Sequence, residues 1–100
     1  MIENLIPQLV TLLVPWREIW YEVKTKEEKR YHRTVPTELH CVVVWNEEQK
    51  VAKLSIVEVD SDNVITPYHE SVAICGWYMD AIRWSQTEIE KQYQEYLNGV

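Results

Sequence analysis

The chain has 100 residues, of which 46% are hydrophobic and 26% charged, and a formal net charge of −6. That length holds one core, since a domain of this size buries only about two-thirds of the surface its unfolded form exposes, and the composition excludes intrinsic disorder. Two glycines and four prolines exclude a Gly-rich phosphate cradle and favour elements joined by short turns.

At the N-terminus, Glu3, Asn4, Pro7, Gln8 and Thr11 fall on one arc of a helical wheel, and Leu5, Ile6, Leu9, Leu12 and Leu13 fill the opposite side. The pattern predicts an amphipathic helix. Asn4 caps it, Pro7 sits in the first turn where no donor is missed, and Pro15 ends it. The stretch is too short to span a bilayer and has no basic residue before Arg17, so it reads as neither signal peptide nor anchor. Cys41 and Cys75 each lie in an apolar run without CxxC spacing, the setting of buried free thiols in a reducing, cytoplasmic compartment.

From Trp16 to Val23 the period changes to two, as a strand with unlike faces requires. Lys24 to Lys29 reads as a turn and Arg30 to Val35 as the returning strand, closed by Pro36. A second hairpin follows: Glu38 to Trp45, a loop from Asn46 to Gln49, then Lys50 to Asp60. Leu39, Cys41, Val43 and Trp45 alternate with Val42 and Val44, so this strand is apolar on both faces and is expected at the centre of the sheet, covered twice.

Beyond Ser61, Asp62 and Asn63, Thr66 and Pro67 carry the cap and first-turn pattern of a helix start. Ile74, Tyr78, Ala81, Ile82, Ser85, Ile89, Tyr93 and Tyr96 share one helical face, and Asn98 and Gly99 supply a stop. Gly76 and the capping box Ser85-x-x-Glu88 mark places where this long helix would kink or split. The whole reads as a single α+β domain over residues 1–100: an N-terminal helix, a four-stranded antiparallel meander and a long C-terminal helix, both helices on one face of the sheet.

Signals for chemistry are sparse. His32, His40 and His69 could join Glu18, Glu22 or Glu38 around a metal, but none shows HxxxH or HExxH spacing. Cys75 with His69 could pair nucleophile and base, yet Cys75 points close to the helix's core face, where a thiol is inert. Glu58, Asp60 and Asp62 form a carboxylate series like that of a nuclease, without an evident catalytic lysine, and read as a solvated strand end. No catalytic residue, metal or cofactor is assigned.

Charge and aromatic placement say more. Residues 24–33 hold five basic residues, Lys24, Lys26, Lys29, Arg30 and Arg33, against Glu27 and Glu28, a net +3 that leaves −9 for the rest of the chain. On the second helix, Trp77 and Trp84 stand seven residues apart with Ala81 between them, a stripe rotated off the core face. The resulting expectation is a non-enzymatic protein-interaction domain, such as an adaptor, inhibitor or immunity-type partner. It would bind through Trp77, Ala81 and Trp84, both to a second copy as a homodimer and to another protein, with no membrane partner. The alternative is a nucleic-acid-associated protein using the basic hairpin, and the third reading is a small metal-dependent hydrolase or nuclease.

Overall fold

The computed structural model describes residues 16–99. They form four strands, β1 (Trp16–Arg30), β2 (Arg33–Asn46), β3 (Val51–Val59) and β4 (Ile65–Ile74), followed by one helix, α1 (Tyr78–Leu97). Strand order in the sheet is chain order and every pair is antiparallel, the meander that short connections permit. The α+β class, the antiparallel meander and the C-terminal helix are as expected. The expected N-terminal helix falls outside the described residues, and α1 alone covers one face of the sheet.

Two elements differ from the sequence reading. The stretch from Lys24 to Lys29 is strand rather than turn; the chain reverses at Tyr31 and His32, both left-handed with φ of 50° and 66°. Two consecutive positive φ values are type I′ geometry, whose twist matches that of the flanking strands. Alternating charges on both faces of β1 carry no hydrophobic period, which is why this part of the strand was unreadable. Pro36 does not close a strand but lies within β2, opposite Glu27 and past the point where β3 stops pairing at Glu38. With a neighbour on one side only, a missing N–H need not break a ladder.

The second difference is that Thr66 and Pro67 start no helix. They lie in β4, an edge strand, where a register irregularity opposite Ile56 and Val57 leaves Tyr68 as the extra residue. Its ring turns into the core and meets Tyr96 edge-on at 5.3 Å. The helix begins instead after Trp77, whose backbone is extended, with Asp80 in the first turn where a carboxylate favours the helix dipole. Gly76 sits in the link before α1 rather than inside a helix. Ser85 is no capping residue: it is buried within α1, and its hydroxyl donates to the Ile82 carbonyl at 2.7 Å.

Between sheet and helix, Leu39, Cys41, Val43 and Trp45 of β2 meet Leu54, Ile56 and Ala52 of β3, with Ala81, Ile89 and Tyr96 of α1 laid across them. Each buried aliphatic side chain stabilises the fold by about 1.5–3 kcal/mol relative to exposure. Hydrogen bonds fix both ends of α1. Trp45 Nε1 donates to the Cys75 carbonyl at 3.0 Å, and at the far end Lys26 Nζ donates to the Tyr96 carbonyl at 3.0 Å and Tyr93 Oη to that of Thr25 at 2.7 Å. The β1–β2 hairpin runs on past this point as a two-stranded ribbon.

Candidate functional site

The period of two that buries Leu39, Cys41, Val43 and Trp45 sends the alternate residues of the sheet to the face opposite α1. Neighbours in register there run Trp16, Asn46, Val51, Ile74 in one row and Glu18, Val44, Lys53, Val72 in the next. The remaining rows add Tyr21 beside Val42, Val23 near Val57, and Val59 next to Ile65. Among the described residues no element packs over this face. Ile74 is 90% exposed, and Ile65, Val72 and Tyr21 are also open to solvent. A contiguous apolar patch of this kind marks an interaction surface more often than a bare exterior.

Several polar groups on this face are tied to one another. Lys53 Nζ lies 3.1 Å from Glu70 Oε1, which also accepts from Ser55. The Tyr21 hydroxyl bonds His40 Nδ1, while His40 Nε2 reaches Glu38 Oε1 at 3.1 Å. The two ring nitrogens thus serve different partners, as in a proton relay, but Tyr21 is 51% exposed and among the described residues no substrate-excluding wall surrounds it. Neutralised polar groups among valines lower the cost of covering the face.

The other chemical candidates separate. His32 is at the exposed hairpin tip, His40 on the open face and His69 on the α1 side. Among the described residues no group of three or more His, Cys, Asp or Glu is placed to hold a metal ion. His69 meets Ser71 and Glu88, but through the same Nε2, so its ring cannot pass a proton from one to the other. Glu58 turns inward to the Tyr96 hydroxyl. Asp60 accepts the backbone N–H groups of Asp62 and Val64, both at 2.9 Å, which closes its own turn. Burial raises both thiols, that of Cys41 to about 11, so neither is a ready nucleophile. Both are free, and each belongs to a different core cluster.

Trp77, Ala81 and Trp84 do not form one exposed stripe. Ala81 is fully buried, and Trp84 packs against both core clusters, because α1 leans on the sheet through its Ala81, Ser85, Ile89 side. Trp77 is 52% exposed, with its ring edge-on to Tyr78, and lies at the end of the sheet from which Ile74 projects. Of the five basic residues, Lys24 is bound to Glu22 at 2.9 Å and to Glu90 at 3.5 Å, and its ammonium is held above the usual value chiefly by the Glu22 hydrogen bond. Lys26 is engaged with Tyr96. Lys29 lies at an open-face register position, whereas Arg30 and Arg33 pair with each other at the tip on the opposite parity. By register, Lys24, Lys26, Arg30 and Arg33 share the α1 side of the ribbon, where Glu28 interrupts the row, and Lys29 alone stands on the open side.

What sequence reasoning missed is the outward half of β4. Ile65, Val72 and Ile74 were assigned to a helix or its lead-in, although all three are β-branched; Val72 and Ile74 are spaced for one side of a strand, and the irregularity at Tyr68 brings Ile65 to that side. No helix among the described residues is long and apolar enough to cross a membrane. No family model, curated protein or solved structure matches the chain.

Proposed function

We propose that this chain is a non-enzymatic protein-interaction domain whose docking surface is the open face of its sheet, extended at one end by Ile74 and Trp77. The observation that carries this reading is the row of valines and isoleucines left uncovered while Lys53, Glu70, His40 and Glu38 beside them are paired with one another. Such a surface offers apolar area with little desolvation penalty, and an exposed Trp at its rim is the residue type most enriched at binding hot spots. A second copy is one partner the face could take. Four strands of about nine residues present about 500 Å² per copy, so a symmetric dimer would bury about 1,000 Å² in total, the foot of the range for specific interfaces.

The test is capture from the native host. Immobilised wild-type chain should retain a protein that a Val72→Lys, Ile74→Lys variant of equal stability does not. Equal retention by both would refute the reading.

A second reading, nucleic-acid association through the ribbon, is favoured by one observation. Tyr31, 92% exposed, and His32 hold two consecutive left-handed conformations at a projecting tip, a place where strain accompanies function. If Lys29, Arg30 and Arg33 are the residues that meet phosphate, affinity for duplex DNA should fall with a log–log salt slope of about −2.7. A slope near zero would dismiss it.

A further inference from the structure

Across the open face the register sets five rows of four, from the row of Trp16 and Ile74 at one end to that of Thr25 and Ile65 at the other, with Tyr21 and Glu70 in the middle row. The two most exposed aliphatic side chains of the face, Ile74 and Ile65, stand at opposite ends of β4. Past the Ile65 end the β1–β2 ribbon continues and presents Glu27 and Lys29, both exposed, on the open side. Past the Ile74 end lies the β2–β3 loop, with exposed Lys50 beside its base and exposed Glu48 at its tip. Resting on the interaction-domain reading, we propose that the partner of the open face is a second copy of this chain, packed face to face about a two-fold axis that crosses the strands at the middle row.

The side chains that meet select this axis. An axis across the strands lays each strand on its own copy with the rows reversed, so that Ile74 meets Ile65 of the second copy, Val72 meets Pro67 and Val51 meets Val59. An axis along the strands would instead set Ile74 on Trp16, Ile65 on Thr25 and Val72 on Glu18, leaving two of these three aliphatic groups against polar ones. Glu70, which falls near its own copy at the chosen axis, is neutralised by Lys53 at 3.1 Å. Aligned sheets keep their strands within about 30° of each other, so each ribbon overhangs the β2–β3 loop of the other copy. Going outward, Glu27 and Lys29 of the ribbon then follow the same order as Lys50 and Glu48 of the loop, and opposite charges meet at both ends of the interface. The overhanging ribbons raise the total buried area from about 1,000 Å² for the sheet faces to about 1,400 Å², inside the range of stable specific interfaces. Such a contact is isologous and closes at two copies.

The test uses the full chain in two variants, Ile65→Cys and Ile74→Cys, at positions that are exposed while the native thiols are buried. Within one chain these positions are about 30 Å apart, beyond the reach of a short bis-maleimide. At micromolar protein, where wild type should sediment as a dimer, an equimolar mixture of the two variants is expected to crosslink about tenfold faster than either variant alone. Lys29→Glu or Glu48→Lys alone should weaken dimerisation about tenfold, and the two together in one chain should restore it. Three results would overturn the proposal: a monomer at every concentration up to high micromolar, a dimer in which the mixture crosslinks no faster than the single variants, or no restoration by the double exchange. No foreign protein enters these measurements, so a monomer here leaves retention of another protein by the same face to succeed or fail on its own.

Discussion

Tyr96→Phe removes one oxygen from the place where the end of α1 is fastened to the sheet. The Tyr96 hydroxyl bonds the Glu58 carboxylate and, at 2.7 Å, Thr37 Oγ1. An ionised carboxylate only accepts, so the phenol donates to Glu58 and receives from Thr37. A hydrogen bond to a charged group contributes about 1.5–3 kcal/mol. Loss of about 2 kcal/mol is therefore expected at pH 7, lowering Tm by about 10 °C in a domain of this size. Burial, and after it the Glu58 hydrogen bond, push the Tyr96 phenol up to about 12 from its ordinary 10. The folded state thus holds this proton more tightly than the unfolded state, and the associated stability is complete below pH 10 and lost as pH rises towards 12. Two pH units correspond to at most about 2.7 kcal/mol. Urea melts at pH 7 and between pH 9 and 12 measure both quantities. Burial also raises Tyr68, so the informative quantity is the difference between wild type and Tyr96→Phe, which should shrink above pH 10. A loss under about 0.5 kcal/mol at pH 7, or parallel alkaline curves for the two proteins, would refute the reasoning.

Trp84→Ala should destabilise the fold by about 3 kcal/mol, the lower end for large aromatic truncations, because its ring is only partly buried; Trp77→Ala should cost about 1 kcal/mol or less, since the ring is half-exposed and caps nothing. Urea melts that give equal losses would contradict their separate placement. Replacing Tyr31 by Asn together with His32 by Gly should stabilise the protein by about 1–2 kcal/mol, because Asn-Gly adopts the type I′ turn without strain; a loss of stability would mean that the tip side chains hold the ribbon. Thiol titration should find two free thiols in denaturant and neither reacting quickly in the native state at pH 8, and a count of zero would contradict the separate burial of Cys41 and Cys75.

Parts of this fold were legible because burial leaves a period. Val43 and its alternates announced a central strand, and Ala81, Ser85, Ile89 and Tyr96 announced the inner side of α1. Legibility failed where two signals compete. Lys24 to Lys29 is charged on both sides because one side reaches α1 through lysine ammonium groups and the other meets water, so no apolar repeat marks the strand. Thr66-Pro67 is as suitable for an edge strand as for a helix start, and only pairing with β3 decides between them. The open face could be anticipated from Val42 and Val44, but its extent depended on β4, which a helical reading had removed from the sheet. Trp84 looked peripheral on an ideal wheel; the lean of α1 towards the sheet, a tertiary property, makes it core.

Because each strand pairs with the one before it in the chain, sheet formation needs only short loops to close, whereas docking of α1 joins Tyr93 to Thr25 and Tyr96 to Thr37 across most of the chain. Loop closure over such separations is slow relative to hairpin formation. The nascent sheet therefore exists for a time with both faces wet, and Leu39, Leu54 and Ile56 are exposed beside the valines of the other face. Any change that delays α1, such as proline within residues 81–89, should lengthen that interval and divert the chain towards aggregation before it alters the final fold.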